Sequence, residues 1–151
     1  LALISDNGTP LISDPGYKLV SELKKKKYDV IAIPGPSAVT SALSISGLPT
    51  DKFSFLGFLP KSDSKRRTII EKYLQLKNTL VIYESPNRLF KLLSLLQDIN
   101  AALLICVIRD MTKVKEKAYY GDLEEVRDLL KKDGLEENPY GEWVVLLSRK
   151  V

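Results

Sequence analysis

The residues best able to do chemistry stand in short segments that each follow an apolar run. Asp6-Asn7-Gly8-Thr9-Pro10 offers a carboxylate, a hydroxyl and a glycine that lets a ligand approach the backbone closely. Pro34-Gly35-Pro36-Ser37 is a second loop of this kind, between an apolar run and a helical pattern. Tyr83-Glu84-Ser85-Pro86-Asn87-Arg88 sets a carboxylate and a guanidinium beyond a third run, and Arg109-Asp110-Met111-Thr112-Lys113 does so beyond a fourth. In open α/β sheets, ligands bind outside the carboxyl ends of strands, where such loops would lie. Each also has a plainer reading. Asp, Asn, Gly and Pro are the ordinary turn residues, and Ser37 or Ser85 would serve as a helix N-cap. The first loop is not a Gly-x-Gly-x-x-Gly fingerprint.

What is missing narrows the chemistry further. The 151 residues include no histidine, which excludes Ser-His and Cys-His nucleophile pairs and His-ligated metals. Proton transfer would fall to carboxylates, lysine or tyrosine, and no metal is expected. The one cysteine, Cys106, can form no internal disulfide, which fits a reducing cytoplasm. No apolar run approaches the ~20 residues that a membrane span needs. The net charge of +4 is a mild excess. Lys61, Lys65, Arg66 and Arg67 cluster before a helical pattern and, with Arg88, could meet phosphates; such runs are more often solvated helix faces.

The elements that must position these groups read as α/β. In residues 1–50, apolar segments Leu1–Ser5 and Val30–Ile33 alternate with helices, one started by Asp14-Pro15 and faced by Leu19, Val20 and Leu23, the next running from about Ser37 to Gly47. That is a parallel βαβ pattern. It resets around Leu48-Pro-Thr-Asp-Lys, the expected boundary to a second domain over 51–151. There the pattern predicts strands at Phe53–Phe58, Leu80–Tyr83, Leu103–Ile108, Lys115–Tyr120 and Trp143–Leu147. Helices between them are faced by Ile69, Ile70, Tyr73 and Leu74, by Leu89, Leu92, Leu93 and Leu96, and by Leu123, Val126, Leu129 and Leu130 behind a capping box at Asp122 and Glu125. The strand folding back at Lys115 predicts a mixed sheet flanked by helices.

The segments in order are more telling than any one. Ser5-Asp-Asn-Gly-Thr-Pro-Leu-Ile-Ser-Asp-Pro-Gly, Pro34-Gly-Pro-Ser-Ala, Gly47-Leu-Pro-Thr-Asp, Gly57-Phe-Leu-Pro, Tyr83-Glu-Ser-Pro-Asn-Arg, Arg109-Asp-Met-Thr-Lys and Gly141-Glu-Trp-Val-Val resemble the bacterial ribosomal RNA small-subunit methyltransferase I family, whose fold is similar to that of the tetrapyrrole methylases. The chain departs from it at Asn7, where members usually carry Ala, and at Asp110-Met111, where they carry Glu-Leu. It also lacks the family's opening strand with its Pro-Ile-Gly-Asn loop and a Cys-Glu-Asp-Thr-Arg-like segment. The expectation is therefore an N-terminally truncated cofactor-side domain followed by a complete C-terminal one, with weakened cofactor affinity.

The resemblance implies S-adenosyl-L-methionine as cofactor and the 2′-hydroxyl of a cytidine in 16S ribosomal RNA of the small subunit as methyl acceptor. It also implies a homodimer. On that reading Asp6, Gly8, Thr9, Pro10, Ile12, Pro34, Gly35, Ser37 and Tyr83 bind the cofactor, with Asp6 near the sulfonium. Glu84 or a network centred on Lys113 handles the hydroxyl proton, and Lys61, Lys65, Arg66, Arg67 and Arg88 face RNA. A tetrapyrrole or protein side-chain methylase of the same fold is the rival enzyme reading. A non-catalytic piece that dimerises or docks on RNA is the rival of another class.

Overall fold

The computed structural model describes residues 1–100 and 102–150. It divides into two compact units, Leu1–Ala38 and a second that begins at Val39. Among the described residues no helix is long and apolar enough to cross a membrane.

The first unit holds one helix, α1 (Tyr17–Lys25). The two strands expected at Leu1–Ser5 and Val30–Ile33 are not formed. A strand needs a neighbour to take its backbone hydrogen bonds, and neither segment pairs with the other or with any strand described. Their apolar side chains stay in the open, Ile31 and Ile33 being 81% and 82% exposed. Nor is any residue of 1–38 fully buried, so Val20 and Leu23 are half-buried and Leu19 is exposed. Helix α1 starts later than Asp14-Pro15 suggests: Gly16, at φ 132°, sits outside helical geometry and becomes the N-cap. Lys24 and Lys25 close the helix where cations suit its dipole.

The second unit opens with α2 (Ala38–Ile45), whose Val39, Ala42 and Leu43 are buried in it. The two compact units divide between Ala38 and Val39, within the first turn of this helix. Gly47, at φ 70°, ends the segment with its Cα against the ring of Tyr120. Then follow β1 (Phe53–Phe58), α3 (Asp63–Leu74), β2 (Thr79–Glu84), α4 (Pro86–Ile99), β3 (Leu103–Arg109), β4 (Lys117–Asp122), α5 (Leu123–Lys132) and β5 (Trp143–Arg149). The strands form one sheet in the order β1-β2-β5-β3-β4. Only β1 and β2 run parallel, so the sheet is mixed, as the fold-back predicts.

Its three central strands, β2, β5 and β3, read as nearly continuous apolar runs because both their faces are buried. On one face Leu80, Ile82, Ile105, Val107, Val145 and Leu147 join a cluster with Ile70 and Leu74 of α3, Leu89, Leu92, Leu93 and Leu96 of α4, and Leu123, Val126 and Leu130 of α5. On the other, Val81, Cys106, Ile108, Val144 and Leu146 are buried as well. The capping box at α5 is complete: the Asp122 carboxylate accepts from the Glu125 backbone N–H at 3.0 Å, and Glu125 accepts from that of Asp122 at 2.9 Å.

Burial pushes the Cys106 thiol up to about 11, well above its ordinary value. At pH 8 the thiolate is scarce and the sulfur inaccessible, so it is not a reactive group. Labelling by a thiol reagent at that pH is expected only at the rate of global unfolding. Rapid labelling of the native chain would show that this face of the sheet is open.

Candidate functional site

In the first unit the two loops singled out by sequence meet. The Thr9 hydroxyl donates to the Pro36 carbonyl at 2.9 Å, across a span of 27 residues. Gly8 sits at φ 78°, and a Cβ built there would lie 3.3 Å from the same carbonyl oxygen. Gly35 lies beside the Thr9 hydroxyl, its Cβ position 3.8 Å away, at ordinary contact distance. The Ser5 hydroxyl ties off the turn by donating to the Gly8 carbonyl at 2.8 Å. Asp6, Gly8, Pro34, Gly35 and Ile12 are exposed along this pair of loops; Thr9, Pro10 and Ser37 are half-buried. The result is a small, glycine-walled backbone surface with one free carboxyl side chain at its start. A branched residue at Gly8 would crowd the Pro36 carbonyl.

In the second unit, register lines up the other candidates along one end of the sheet. Phe58 pairs with Tyr83, and Tyr83 with Val144. One step on, Glu84 pairs with Trp143, Trp143 with Arg109, and Arg109 with Lys117. Strand β1 reaches this end through a bulge between Phe55 and Gly57, with Gly57 at φ 59°. The extra residue puts Phe55 and Phe58 on the same face, and both rings pack edge-on against Tyr83, at 4.9 and 5.6 Å between centroids.

Glu84 is buried and fully engaged. One oxygen accepts from Arg66 at 2.5 Å; the other accepts from the Ser85 backbone N–H at 2.8 Å and lies in an ion pair with Arg88, 3.2 Å from its Nε. Arg88 in turn donates to the carbonyls of Leu59 and Pro60, at 2.8 and 3.2 Å, and so pins the loop between β1 and α3. This corrects two expectations. Glu84 is not a poised base, because both oxygens are occupied by cations and an amide. Arg66 does not face RNA: its side chain is 1% exposed and points inward from α3. The helical pattern contained that signal, since Arg66 precedes Ile70 and Leu74 at intervals of four on the inner face.

Arg109 and Asp110 make a second fixed corner. The Asp110 backbone N–H donates to the Glu142 carbonyl at 2.8 Å, and its carboxylate accepts from the Glu142 N–H at 3.0 Å. The Arg109 guanidinium lies over the rings of Tyr140 and Trp143, 4.4 and 6.0 Å from their centroids. Lys113 ends the turn exposed, 2.9 Å from the Glu142 carboxylate. That hydrogen bond and its charge raise the Lys113 pKa further above its ordinary value, so at neutral pH it is an ammonium and not a proton acceptor. No ion pair or hydrogen bond joins Glu84 to Lys113 among the described residues. Of the basic cluster, Lys61 and Lys65 are exposed without an ion pair among the described residues, whereas Arg67 is shared between Glu71 and Asp98 at 3.7 and 3.6 Å. Sequence reading passed over Phe58, Tyr140 and Gly141; a glycine inside a strand pattern, as at Gly57, is the cue to a bulge that re-aims its neighbour.

No group of His, Cys, Asp and Glu among the described residues could hold a metal. An open depression of about 540 Å³ beside β4 and α5, lined by Tyr120, Gly121, Glu125, Asp128 and Leu129, includes none of the expected site residues.

Residues 1–127 match the family described as Tetrapyrrole (Corrin/Porphyrin) Methylases. The chain is 42% identical over 151 residues to a protein of Rickettsia prowazekii named ribosomal RNA small subunit methyltransferase I, covering 100% of this chain and 52% of that one. It is 39% identical to the protein of that name from Thermotoga maritima, over 99% of this chain and 65% of that one. The chain thus spans about half to two thirds of these relatives' length. Among solved structures it is similar to uroporphyrin-III C-methyl transferase from Thermus thermophilus, complexed with S-adenyl homocysteine. That likeness has a TM-score of 0.55 and 18% identity over 92% of this chain and 62% of that one, and it speaks for the fold. The family match, the mixed five-stranded sheet with its flanking helices, and the paired glycine loops agree: the chain belongs to the tetrapyrrole (corrin/porphyrin) methylase family.

Proposed function

We propose that this chain is part of an S-adenosylmethionine-dependent methyltransferase that modifies a cytidine 2′-hydroxyl in small-subunit ribosomal RNA. The names of relatives 42% and 39% identical over nearly the whole chain support the RNA acceptor over a tetrapyrrole. The observation that carries the cofactor half is the closure of Asp6–Pro10 on Pro34–Ser37 through Thr9 and Pro36, with glycines where side chains would intrude. A cytoplasmic setting with the ribosome and a second copy of the chain belong to the same reading.

The bound cofactor would supply a methyl group already activated on a sulfonium. Binding and orientation fall to the chain. Gly8 and Gly35 let backbone reach the ligand, Thr9 holds the two loops together, and the Asp6 carboxylate suits a neighbouring cation. Pro10, Ile12, Pro34 and Ser37 complete the proposed cofactor surface within the first unit. Holding reactants in line can itself supply much of the acceleration. At the acceptor end, Lys113 stays a cation and would stabilise charge developing on the ribose oxygen rather than remove its proton. Glu84 acts at one remove, through Arg88 and the loop it pins.

Calorimetric titration with S-adenosylmethionine tests the cofactor half. Heat of binding is expected, and Gly8→Val, at φ 78° beside Pro36, is expected to weaken it tenfold or more. Binding to small subunits, compared with a porphyrinoid, tests the acceptor. Preference for the porphyrinoid would overturn the RNA reading, and RNA binding with no heat from the cofactor would favour a docking piece.

A further inference from the structure

We propose that Phe58, followed by Lys61 and Lys65, is a stacking site for an unpaired base of single-stranded RNA, with the flanking phosphates taken by the two lysines. It rests on the RNA reading above and names a contact within it. Phe58 is 61% exposed although it is a large apolar ring at the end of a buried sheet. Its exposure is built in. The bulge at Phe55–Gly57 turns it to the face of Tyr83, whose ring meets it edge-on at 5.6 Å and limits its rotation. The loop behind it is equally fixed, because Arg88 holds the carbonyls of Leu59 and Pro60 while Glu84 holds Arg88.

A braced aromatic face leading into cations is the arrangement that binds single strands. Every base has a π-face to stack, and the phosphates on either side need positive partners. Lys61 and Lys65 fit that part: unlike Arg67 and Lys91, they have no carboxylate partner among the described residues. Bulges recur beside functional sites because they re-aim a side chain. A ring exposed by accident would need neither the bulge nor the brace.

Phe58→Trp gives the test, since the parent's single tryptophan, Trp143, is buried. The emission added at position 58 is expected to be quenched saturably by a short oligocytidylate and left unchanged by S-adenosylmethionine or by dilution. Phe58→Ala is expected to weaken oligocytidylate binding roughly tenfold or more, with the parent's urea midpoint retained. Its dependence on log salt should be unaltered, whereas Lys61→Ala should reduce that slope by about one. Unchanged affinity in Phe58→Ala, while the parent binds, would overturn the stacking site and leave the RNA reading standing. Quenching by the cofactor alone, or by protein concentration alone, would assign the ring to the adenine or to a second copy and overturn it too. A parent that binds no RNA would bring down both.

Discussion

Glu84→Ala is expected to destabilise the second unit by about 3–5 kcal/mol, the cost of removing one partner from a buried ion pair. The reason lies with what stays behind. Arg66 is 1% exposed at its side chain, and its Nε and Nη1 already lack hydrogen-bond partners. Without Glu84, its nearest remaining carboxylate is Asp63, at 3.7 Å on the solvent side of α3. The Ser85 backbone N–H loses its acceptor and Arg88 its ion-pair partner in the same change. Arg88→Ala should cost less, about 1 kcal/mol, because that side chain is a quarter exposed and water can replace its bonds to Leu59 and Pro60. A paired apolar replacement, Arg66→Met with Glu84→Met, is expected to recover most of the loss, since neither charge then remains to be desolvated. Urea unfolding followed by Trp143 emission reads all three variants, Trp143 being the register partner of Glu84. A Glu84→Ala midpoint equal to the parent's would mean that water reaches this cluster and that the ion pair carries no fixed geometry.

The same cluster marks where sequence reading stops. Charge at a strand end reads as chemistry because most charged side chains are exposed and most active groups sit in loops. Glu84 and Arg66 are 18 residues apart, so nothing local announces that they neutralise each other. Periodicity did hold the clue for Arg66, four before Ile70 and eight before Leu74, but its charge made solvent the natural assignment. The strands and helices of the second unit were legible because both signals agreed there: uninterrupted apolar runs for a sheet covered on both sides, and helical spacing between them. Asp122 with Glu125 was legible for a simpler reason, since a capping box is complete within four residues. In the first unit the same apolar pattern misled. Leu1–Ser5 and Val30–Ile33 have strand composition, yet a ladder needs a partner, and composition cannot supply one. The sequence sets Asp6–Pro10 and Pro34–Ser37 apart only as two loops of one kind; the hydrogen bond that joins Thr9 to Pro36 is a tertiary fact.

Gly141→Ala should be costly for two separable reasons, and a second glycine in the chain separates them. Gly141 lies at φ 89° and Gly134 at φ 71°, so any L-residue at either position bears left-handed strain of about 1–2 kcal/mol. Around Gly134 an added Cβ would meet nothing within 4 Å. At Gly141 it would fall 2.8 Å from both carboxylate oxygens of Asp110 and 2.9 Å from Arg109 Cγ. Neither neighbour can give way cheaply. The Asp110 carboxylate accepts from the Glu142 N–H, and the Arg109 guanidinium rests on Tyr140 while sharing a register pair with Trp143. Moving Asp110 breaks a hydrogen bond to a charged acceptor, worth about 1.5–3 kcal/mol. It also loosens the turn that carries Lys113. Gly141→Ala is therefore expected to lower stability by roughly 2.5–5 kcal/mol in all, and Gly134→Ala by about 1–2. The Trp143 emission should shift in the first variant only, since Gly134 has no part in that corner. Equal losses at the two positions would show that backbone strain alone matters and that the Asp110–Glu142 contact yields without cost. A larger loss at Gly141 would show that the end of the sheet is held by this close approach, in which a missing side chain is the structural requirement.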